Sequence, residues 1–478
     1  MARGFAGDLR LLILSSVLAL VAIAAYYSFV HQSISERRTE PVGGWKLGTA
    51  QDLALLDTPR CTIERKSAAS LTSDEFEANY RYKSPIIVTF PNGTAEWTRP
   101  DLFTRSSLSK RYGDWSISYG NSLEIVRQGG VGNVRSPFDD FVRKLDNATT
   151  RDEPIYVFDR NFYRDSGLAK TLRPPDFLRV SSDTDASFFF MGGSRSGVSF
   201  HKHADAWNGV VYGRKRWFLY PPETTPPGGV WPGFSQLEWF RKVYPQLDDA
   251  KLPLECIQEA GEILYLPESY YHGTLNIGDT LAVGWQKKEA VLPVERIIYD
   301  CTEMFNQLNG VSNNRERVVL YEKIAKKYGE MVEMLPSSSE AHHKFGEMLF
   351  ESGKKDEGMS MIQKAIEIDP LFVIAYTTLA QYLIDVGNTD EAERLCRKAF
   401  DLNPMHVDVN LAFAHVTLER GDLKSALRLY KRAAVLNPSN PFCFEQMASI
   451  YEDLGYFSEA KRMMKKVDAL RSEEDETD

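Results

Sequence analysis

Cysteine is scarce in this sequence of 478 residues. The five cysteines are too few for a disulfide-rich scaffold, and none forms the C-x-x-C spacing of a zinc site. An excess of positive charge is also missing, because the formal net charge is -9. A nucleic-acid partner therefore has no electrostatic support. The length alone predicts about two to four domains.

Long apolar runs are missing as well, with one exception. Leu11–Val30 contains no charged residue, and a run of about 20 apolar residues crosses a bilayer as a helix. Basic residues in the short tail 1–10 keep that tail cytosolic by the positive-inside rule. The sequence therefore predicts a single-pass type II protein of the endoplasmic reticulum membrane, with its body in the lumen. The alternative is cleavage near Ala22-Ile23-Ala24, which leaves a lumenal or secreted protein.

Two N-x-T sequons and one pair of cysteines agree with a lumenal body. Asn92 and Asn147 are the predicted glycosylation sites, although such triplets also occur by chance. Cys61 and Cys256 lie in the first globular region, where an oxidising lumen allows them to pair. The alternative is two buried thiols.

The last third of the chain is repetitive. A 34-residue period with two helical patterns per unit resembles tetratricopeptide repeats. The sequence predicts four repeats over 337–472, preceded by a helical linker or degenerate repeat over 289–336 and followed by an acidic tail, 473–478. Stacked repeats form a concave groove that typically binds a peptide or protein, and the alternative is a scaffold without a ligand. The residues that keep phase are Pro336, Pro370, Pro404 and Pro438, and Gly353, Gly387, Gly421 and Gly455. The glycines are expected in the turn between the two helices of each unit, where a positive φ costs them little.

The region between the apolar run and the repeats reads mainly as strands. Runs such as VVYGRKRWFLYPP, GEILYLP and DTLAVGWQ are rich in aromatic and β-branched residues and are broken by glycine and proline. They predict an antiparallel sandwich or barrel with some flanking helix, for example in SDEFEANYRY. A hairpin turn is expected at Gly213, with Lys215 and Trp217 on one face of the returning strand.

Three histidines in this region form a candidate metal site. Residues i and i+2 of a strand project from the same face, so His201 and His203 point together. His272 begins a later strand and supplies a third ligand, which is typical of an open three-ligand centre. For the H-x-H pair alone, a surface or packed pair is the simpler explanation.

The motifs GVSFHKH, AWNGVVYGRKRWFLYPP and GEILYLPESYYHGTLN occur in the order of a JmjC (cupin-like) domain, which the chain resembles from about Cys61 to Lys287. The similar family is the Jumonji-domain-containing protein eight group. The resemblance implies a JmjC/cupin-like antiparallel β-barrel over 59–288. Together with the repeats, which predict an all-α tetratricopeptide-repeat solenoid, the expected fold is an α+β multidomain chain with a linker over 31–58. The preceding helix, 11–30, is the predicted membrane anchor.

Active members of the resembled family use Fe(II), 2-oxoglutarate and O₂ to hydroxylate or demethylate. By position, the resemblance makes His201 and His272 iron ligands and Lys215 the partner of the distal 2-oxoglutarate carboxylate. Asn208 matches an asparagine near the cosubstrate.

Two positions depart from the family pattern. His203 stands where an acidic ligand is expected, with Asp205 as an alternative ligand, and Val198 replaces a threonine. The expectation is therefore either an altered protein hydroxylase whose repeats recruit a protein partner, or a non-catalytic interaction scaffold of the secretory pathway that needs no cofactor.

Overall fold

The computed structural model describes residues 43–122, 125, 132, 134–147, 154–178, 186–230, 233–287 and 289–475. The predicted cytosolic tail 1–10 and membrane anchor 11–30 lie outside these residues. No helix in the described ranges is long and apolar enough to cross a bilayer.

A ten-stranded sheet forms the first region. Its strands are β1 (Glu64–Ser67), β2 (Ile86–Thr89), β3 (Ser116–Gly120), β4 (Val134–Pro137), β5 (Tyr156–Asp159), β6 (Ala186–Gly192), β7 (Ala206–Tyr220), β8 (Leu254–Gln258), β9 (Ile263–Leu266) and β10 (Tyr271–Gln286). The order is β1–β2–β9–β7–β10–β6–β5–β3–β4, with β8 paired with β7. The predicted antiparallel arrangement is wrong at one place, because β1 and β2 pair in parallel.

The two longest strands, β7 and β10, pair with each other in the middle of the sheet. The hairpin predicted at Gly213 is not formed, since β7 continues through this residue. Gly213 instead has φ +81°, next to a shift in register, and a Cβ there would lie 2.4 Å from the Asp279 carbonyl oxygen. Glycine at this position therefore permits an irregularity inside a long strand.

The segment predicted as the end of a linker packs against the sheet. Trp45 is buried and donates its indole N–H to the carbonyl of Phe103 at 3.0 Å. Asp52 forms an ion pair with Arg195 at 2.8 Å. The linker predicted over 31–58 is therefore wrong for its second half, because contacts with distant residues order it.

Short helices flank the sheet. The helix predicted from SDEFEANYRY is confirmed over Ser73–Asn79, where the Thr72 hydroxyl accepts a hydrogen bond from the Glu75 amide and caps the first turn. The helices of this region are Ala50–Leu56, Ser73–Asn79, Arg105–Tyr112, Phe138–Asp146, Asn161–Asp165 and Gln236–Lys242.

The C-terminal part is a stack of helix pairs. The glycines predicted in the turns within each repeat have φ between +79° and +96°, the left-handed region that favours glycine. Before the repeats, 289–336 holds Pro293–Asn309 and Asn314–Met334. The repeat helices are Ser339–Glu351, Lys355–Ile368, Val373–Asp385, Thr389–Leu402, Val407–Glu419, Leu423–Leu436, Pro441–Asp453 and Phe457–Asp475, the last of which takes up part of the predicted acidic tail.

The sheet region and the repeats share one apolar core. A single cluster of buried residues contains Phe218 and Trp239 from the sheet region and Phe350 and Phe372 from the repeats. The backbone amide of Gly228 also donates to the carboxylate of Asp369 at 2.8 Å. The two regions therefore form a continuous packed unit.

Candidate metal centre

The backbone places two of the predicted ligands directly opposite each other. The His201 amide donates to the His272 carbonyl at 3.2 Å, and the His272 amide donates to the His201 carbonyl at 2.9 Å. Residues paired in this way project their side chains to the same face of the sheet. Their ring centroids are accordingly 4.2 Å apart.

His203 joins this pair from the next inward position of the same segment. Its ring centroid is 5.5 Å from that of His201 and 4.6 Å from that of His272. One nitrogen from each of the three rings lies within 4.8 Å of the others. No other group of three potential ligands meets this distance in the described parts of the chain.

The hydrogen bonds of the rings determine which nitrogen is available. Each Nδ1 lies close to a backbone carbonyl oxygen: Ser199 for His201 (2.8 Å), Ala204 for His203 (2.7 Å) and Tyr270 for His272 (2.9 Å). A carbonyl oxygen can only accept, so these contacts assign the proton to Nδ1. The lone pair of each Nε2 remains available, which is the usual arrangement of a metal-binding histidine.

Burial also favours the protonation state that metal binding needs. Desolvation lowers the pKa of His201, and it lowers the pKa of His203 to about 3, with a further contribution from His201. Desolvation, followed by the nearby His201 and His203, lowers the pKa of His272 well below its usual range. All three imidazoles are therefore neutral at pH 7, and protons do not compete for their Nε2 atoms.

A buried cation lies in the same cavity. Lys215 is 1% exposed, and its ammonium donates a hydrogen bond to the Tyr156 hydroxyl at 2.8 Å. Burial lowers the pKa of Lys215 to about 7. Among the described residues, no carboxylate contributes to the pKa of Lys215, since burial is the only cause of the change. A buried, uncompensated amine of this kind favours an anionic ligand.

One buried polar atom that lines the cavity also lacks a hydrogen-bond partner in the described structure. Asn208 is 4% exposed, and its side-chain oxygen has no hydrogen-bond partner in the described structure. Asn208 and Lys215 are seven positions apart, an odd spacing that a regular strand would place on opposite faces. The irregular register around Gly213 allows both to line one cavity.

The remaining walls of the cavity are largely aromatic. They contain the stacked rings of Phe158, Phe188 and Phe190, with centroids 4.7 to 5.9 Å apart. The three histidines, Lys215 and Asn208 all line this cavity.

Two lining hydroxyls escaped the sequence analysis. Tyr156 is separated by many residues from the strand that carries Lys215, so no local pattern indicated it. Thr274 follows His272 by two positions, so the alternation of side chains along a strand predicts that both point to the same face. Its Oγ1 accepts the Val198 amide at 3.2 Å, which brings a hydroxyl beside the position where threonine was expected.

The alternative ligand, Asp205, is not in the cluster. Its carboxylate is paired with Arg81, with Oδ2 2.6 Å from Nη1, and also accepts a hydrogen bond from Tyr265. Asp205 is 3% exposed, and these partners satisfy its buried charge. The proposal that Asp205 swings in as a ligand is therefore wrong for this structure.

The other predicted sites are not among the described residues that line the cavity. Cys61 and Cys256 are joined by a disulfide that links residues 195 positions apart. The side chain of Asn92 is exposed, as is that of Asn147, so each asparagine lies on the surface.

Comparisons with known proteins agree with the two-part organisation. A profile of the cupin-like domain matches residues 90–285. Profiles of tetratricopeptide repeats match residues 339–370, 361–394, 383–441 and 444–474. The predicted order of a JmjC-like region followed by repeats is confirmed.

Three relatives illustrate the range of similarity. JmjC domain-containing protein 8 of Rattus norvegicus is 36% identical over 249 residues, which cover 50% of this chain and 88% of that protein. The bifunctional arginine demethylase and lysyl-hydroxylase psr-1 of Caenorhabditis elegans is 28% identical over 268 residues, or 50% and 64% of the two chains. The 2-oxoglutarate and iron-dependent oxygenase JMJD4 of Gallus gallus is 32% identical over 112 residues, or 21% and 25%.

Proposed function

The chain belongs to the family of JmjC domain-containing protein 8, and on that premise we propose that it is an Fe(II)- and 2-oxoglutarate-dependent protein hydroxylase. One observation carries the proposal. Three imidazoles with available Nε2 atoms line the same cavity as a buried lysine that has no carboxylate partner among the described residues.

The donor set fits a divalent metal. His201, His203 and His272 would hold it, with the carbonyl contacts of their Nδ1 atoms fixing ring orientation. Three neutral imidazoles leave both metal charges uncompensated by the protein, so an anionic cosubstrate has more to contribute here than at a centre with a carboxylate ligand.

The opposite side of the cavity fits a dicarboxylate. Lys215 would hold the distal carboxylate, with the Tyr156 hydroxyl beside its ammonium and the Asn208 side chain as a further polar contact. When bound, Fe(II) and 2-oxoglutarate would supply the oxidising chemistry together with O₂, which is the oxidant. The aromatic walls formed by Phe158, Phe188 and Phe190 would exclude water from it.

A second function is a non-catalytic protein-interaction scaffold. The observation that favours it is the absence of a carboxylate from the histidine cluster, since His203 occupies the acidic position and Asp205 is paired with Arg81. In this case the cavity is a remnant of the family site and the repeats carry the function.

One experiment separates the two functions. The full-length protein is purified, and its metal content is measured after exposure to Fe(II) without oxygen. Conversion of 2-oxoglutarate to succinate and CO₂ is then followed after O₂ is admitted. The hydroxylase proposal predicts one metal per chain and succinate formation that depends on Lys215. A chain that stays metal-free in excess Fe(II) favours the scaffold.

A lumenal location and a recruiting role for the repeats complete the proposal. Support for the location comes from the apolar run 11–30 and the exposed Asn92 and Asn147. Glycosidase treatment of the protein from cells should increase its mobility on a gel. Repeats that are open to protease in intact microsomes would contradict the location.

The proposed recruiting surface is the face formed by the first helices of neighbouring repeats. On this face His415 contacts Gln381 of the preceding repeat at 3.0 Å. We expect Gln381→Arg to abolish co-purification of a protein partner without unfolding the chain. Retention of every partner by this variant and by His415→Asp would contradict recruitment through this face.

A further inference from the structure

The residue between the first two histidines points away from the cavity. Alternation along an extended segment places Lys202 on the face opposite to His201 and His203. Its ammonium lies 2.5 Å from the Glu340 carboxylate and donates a hydrogen bond to the Tyr271 hydroxyl at 2.8 Å. Glu340 belongs to the first repeat, 138 positions further along the chain.

The same carboxylate reaches the strand of the third histidine. Tyr271 directly precedes His272, and its hydroxyl donates to Glu340 at 2.7 Å. Glu340 thus contacts Lys202, which lies between His201 and His203, and Tyr271, which precedes His272. The Lys202 side chain is 8% exposed and that of Glu340 is 21% exposed, so solvent screens their ion pair only in part.

Glu340 is itself held in place. It lies in the first turn of Ser339–Glu351, and the Ser338 hydroxyl accepts a hydrogen bond from the Ala341 amide to cap this helix. Ser338 also hydrogen-bonds Thr225 of the sheet region at 2.9 Å. The position of the carboxylate is therefore determined by a docked helix rather than by a mobile side chain.

A second contact supports the same segment from the helical side. The Ser269 amide donates to the His203 carbonyl at 3.0 Å, and the Ser269 hydroxyl donates to Glu295 at 3.0 Å. Glu295 lies in the first turn of the helix Pro293–Asn309, which precedes the repeats. Helices outside the sheet thus contact both backbone segments that carry the histidines.

We propose that Glu340 is a positioning residue for the metal centre, acting through Lys202 and Tyr271. The first repeat is then a structural part of the site as well as a candidate recruiting surface. The inference rests on the proposed function, because it takes the histidine cluster as a metal site. Removal of the Glu340 charge should loosen the two segments and spread the Nε2 atoms.

The test compares Glu340→Gln with Glu347→Gln in the full-length protein. Glu347 pairs with Lys344 at 2.9 Å within the same helix, and its side chain is 22% exposed, which makes it a matched control. Co(II) serves as the metal probe because its visible absorption reports ligand geometry. Hydrogen exchange of the His201, Ser269 and His272 amides is measured in the metal-free protein.

We expect Glu340→Gln to weaken Co(II) binding by about tenfold or more, as other groups that orient ligands do, and to alter the visible spectrum. Exchange of the three amides should be faster in this variant and unchanged in Glu347→Gln. Lys202→Met combined with Glu340→Gln should cost less affinity than the sum of the two single changes, because both remove the Lys202–Glu340 ion pair.

Two results would overturn the inference, and they are distinguishable. A wild-type chain that binds no Co(II) overturns the proposed function and any role of Glu340 in metal binding with it. A wild-type chain that binds Co(II), together with equal affinity, spectrum and exchange in Glu340→Gln and Glu347→Gln, overturns the positioning role alone.

Discussion

Asp205 and Arg81 form an ion pair, with Oδ2 2.6 Å from Nη1, that keeps the only nearby carboxylate of the His201–Asp205 segment away from the histidines. The pair is buried, since the two side chains are 4% and 16% exposed. Removal of one partner leaves the other charge buried and unpaired, which costs about 3–5 kcal/mol.

Asp205→Asn should therefore lower the free energy of unfolding by an amount of that order and leave Co(II) affinity of the folded protein within about twofold of wild type. Urea denaturation and a Co(II) titration measure the two quantities. Loss of metal binding with unchanged stability would instead make Asp205 a ligand.

His203→Asp should change metal preference. A carboxylate offsets one charge of the metal and is a harder ligand than imidazole, so Fe(II) occupancy should rise relative to Cu(II) and Zn(II). Metal analysis after anaerobic dialysis against equal concentrations of the ions measures this preference, and succinate formation should rise with it. His203→Asn is the neutral control of similar shape, and an equal effect of both substitutions would contradict the role of charge.

Carboxylate binding should be linked to a proton at Lys215. Burial lowers its pKa to about 7, so above pH 7 the folded chain holds fewer protons there than the unfolded chain, and its stability rises with pH up to the ordinary lysine pKa. A bound carboxylate favours the charged ammonium, so binding of 2-oxoglutarate at pH 8.5 should take up a proton.

Calorimetry of the metal-loaded protein in two buffers of different ionisation enthalpy measures this proton uptake. Affinity should fall as pH rises above 7. Lys215→Met should bind more weakly and show no proton uptake, with metal content unchanged. Uptake that persists in Lys215→Met would assign the proton to another group.

The Cys61–Cys256 disulfide should contribute substantially to stability, because it closes a loop across 195 positions of the chain. Loss of such a cross-link by Cys61→Ala with Cys256→Ala is expected to cost about 2–5 kcal/mol in urea denaturation. Cys301→Ala removes a buried free thiol without a loop constraint and is the control. Equal losses in the two variants would mean that packing, and not the cross-link, carries the effect.

The sheet region and the repeats should unfold in one transition, since one apolar cluster spans them. Ala392 is fully buried in that cluster, and Ala392→Trp overpacks it at a cost of about 1–3 kcal/mol or more. Val435 is 78% exposed on another repeat helix, so Val435→Trp is the control. Tryptophan fluorescence and circular dichroism monitor the unfolding. If Ala392→Trp removes the repeat structure but leaves the transition of the sheet unchanged, the shared core is contradicted.

Local patterns in the sequence were sufficient for features that depend on neighbouring residues. The 34-residue period located the repeats, and Gly353 and Gly387 occupy the left-handed turns that their spacing predicted. Alternation along an extended segment predicted that His201 and His203 share a face. These properties follow from backbone geometry within a few residues, so no tertiary information is needed to read them.

Contacts between distant residues were decided only by the tertiary structure. Asp205 pairs with Arg81, which is 124 positions away in the sequence, and Lys202 pairs with Glu340, which is 138 positions away. The irregular register at Gly213 places Asn208 and Lys215 in one cavity, although a regular strand would point their side chains to opposite faces. Charge and periodicity do not identify such partners, because the folded backbone determines which side chains meet. The sequence by itself therefore determined which residues are candidate ligands, and the packing of sheet against repeats determined what surrounds and holds them.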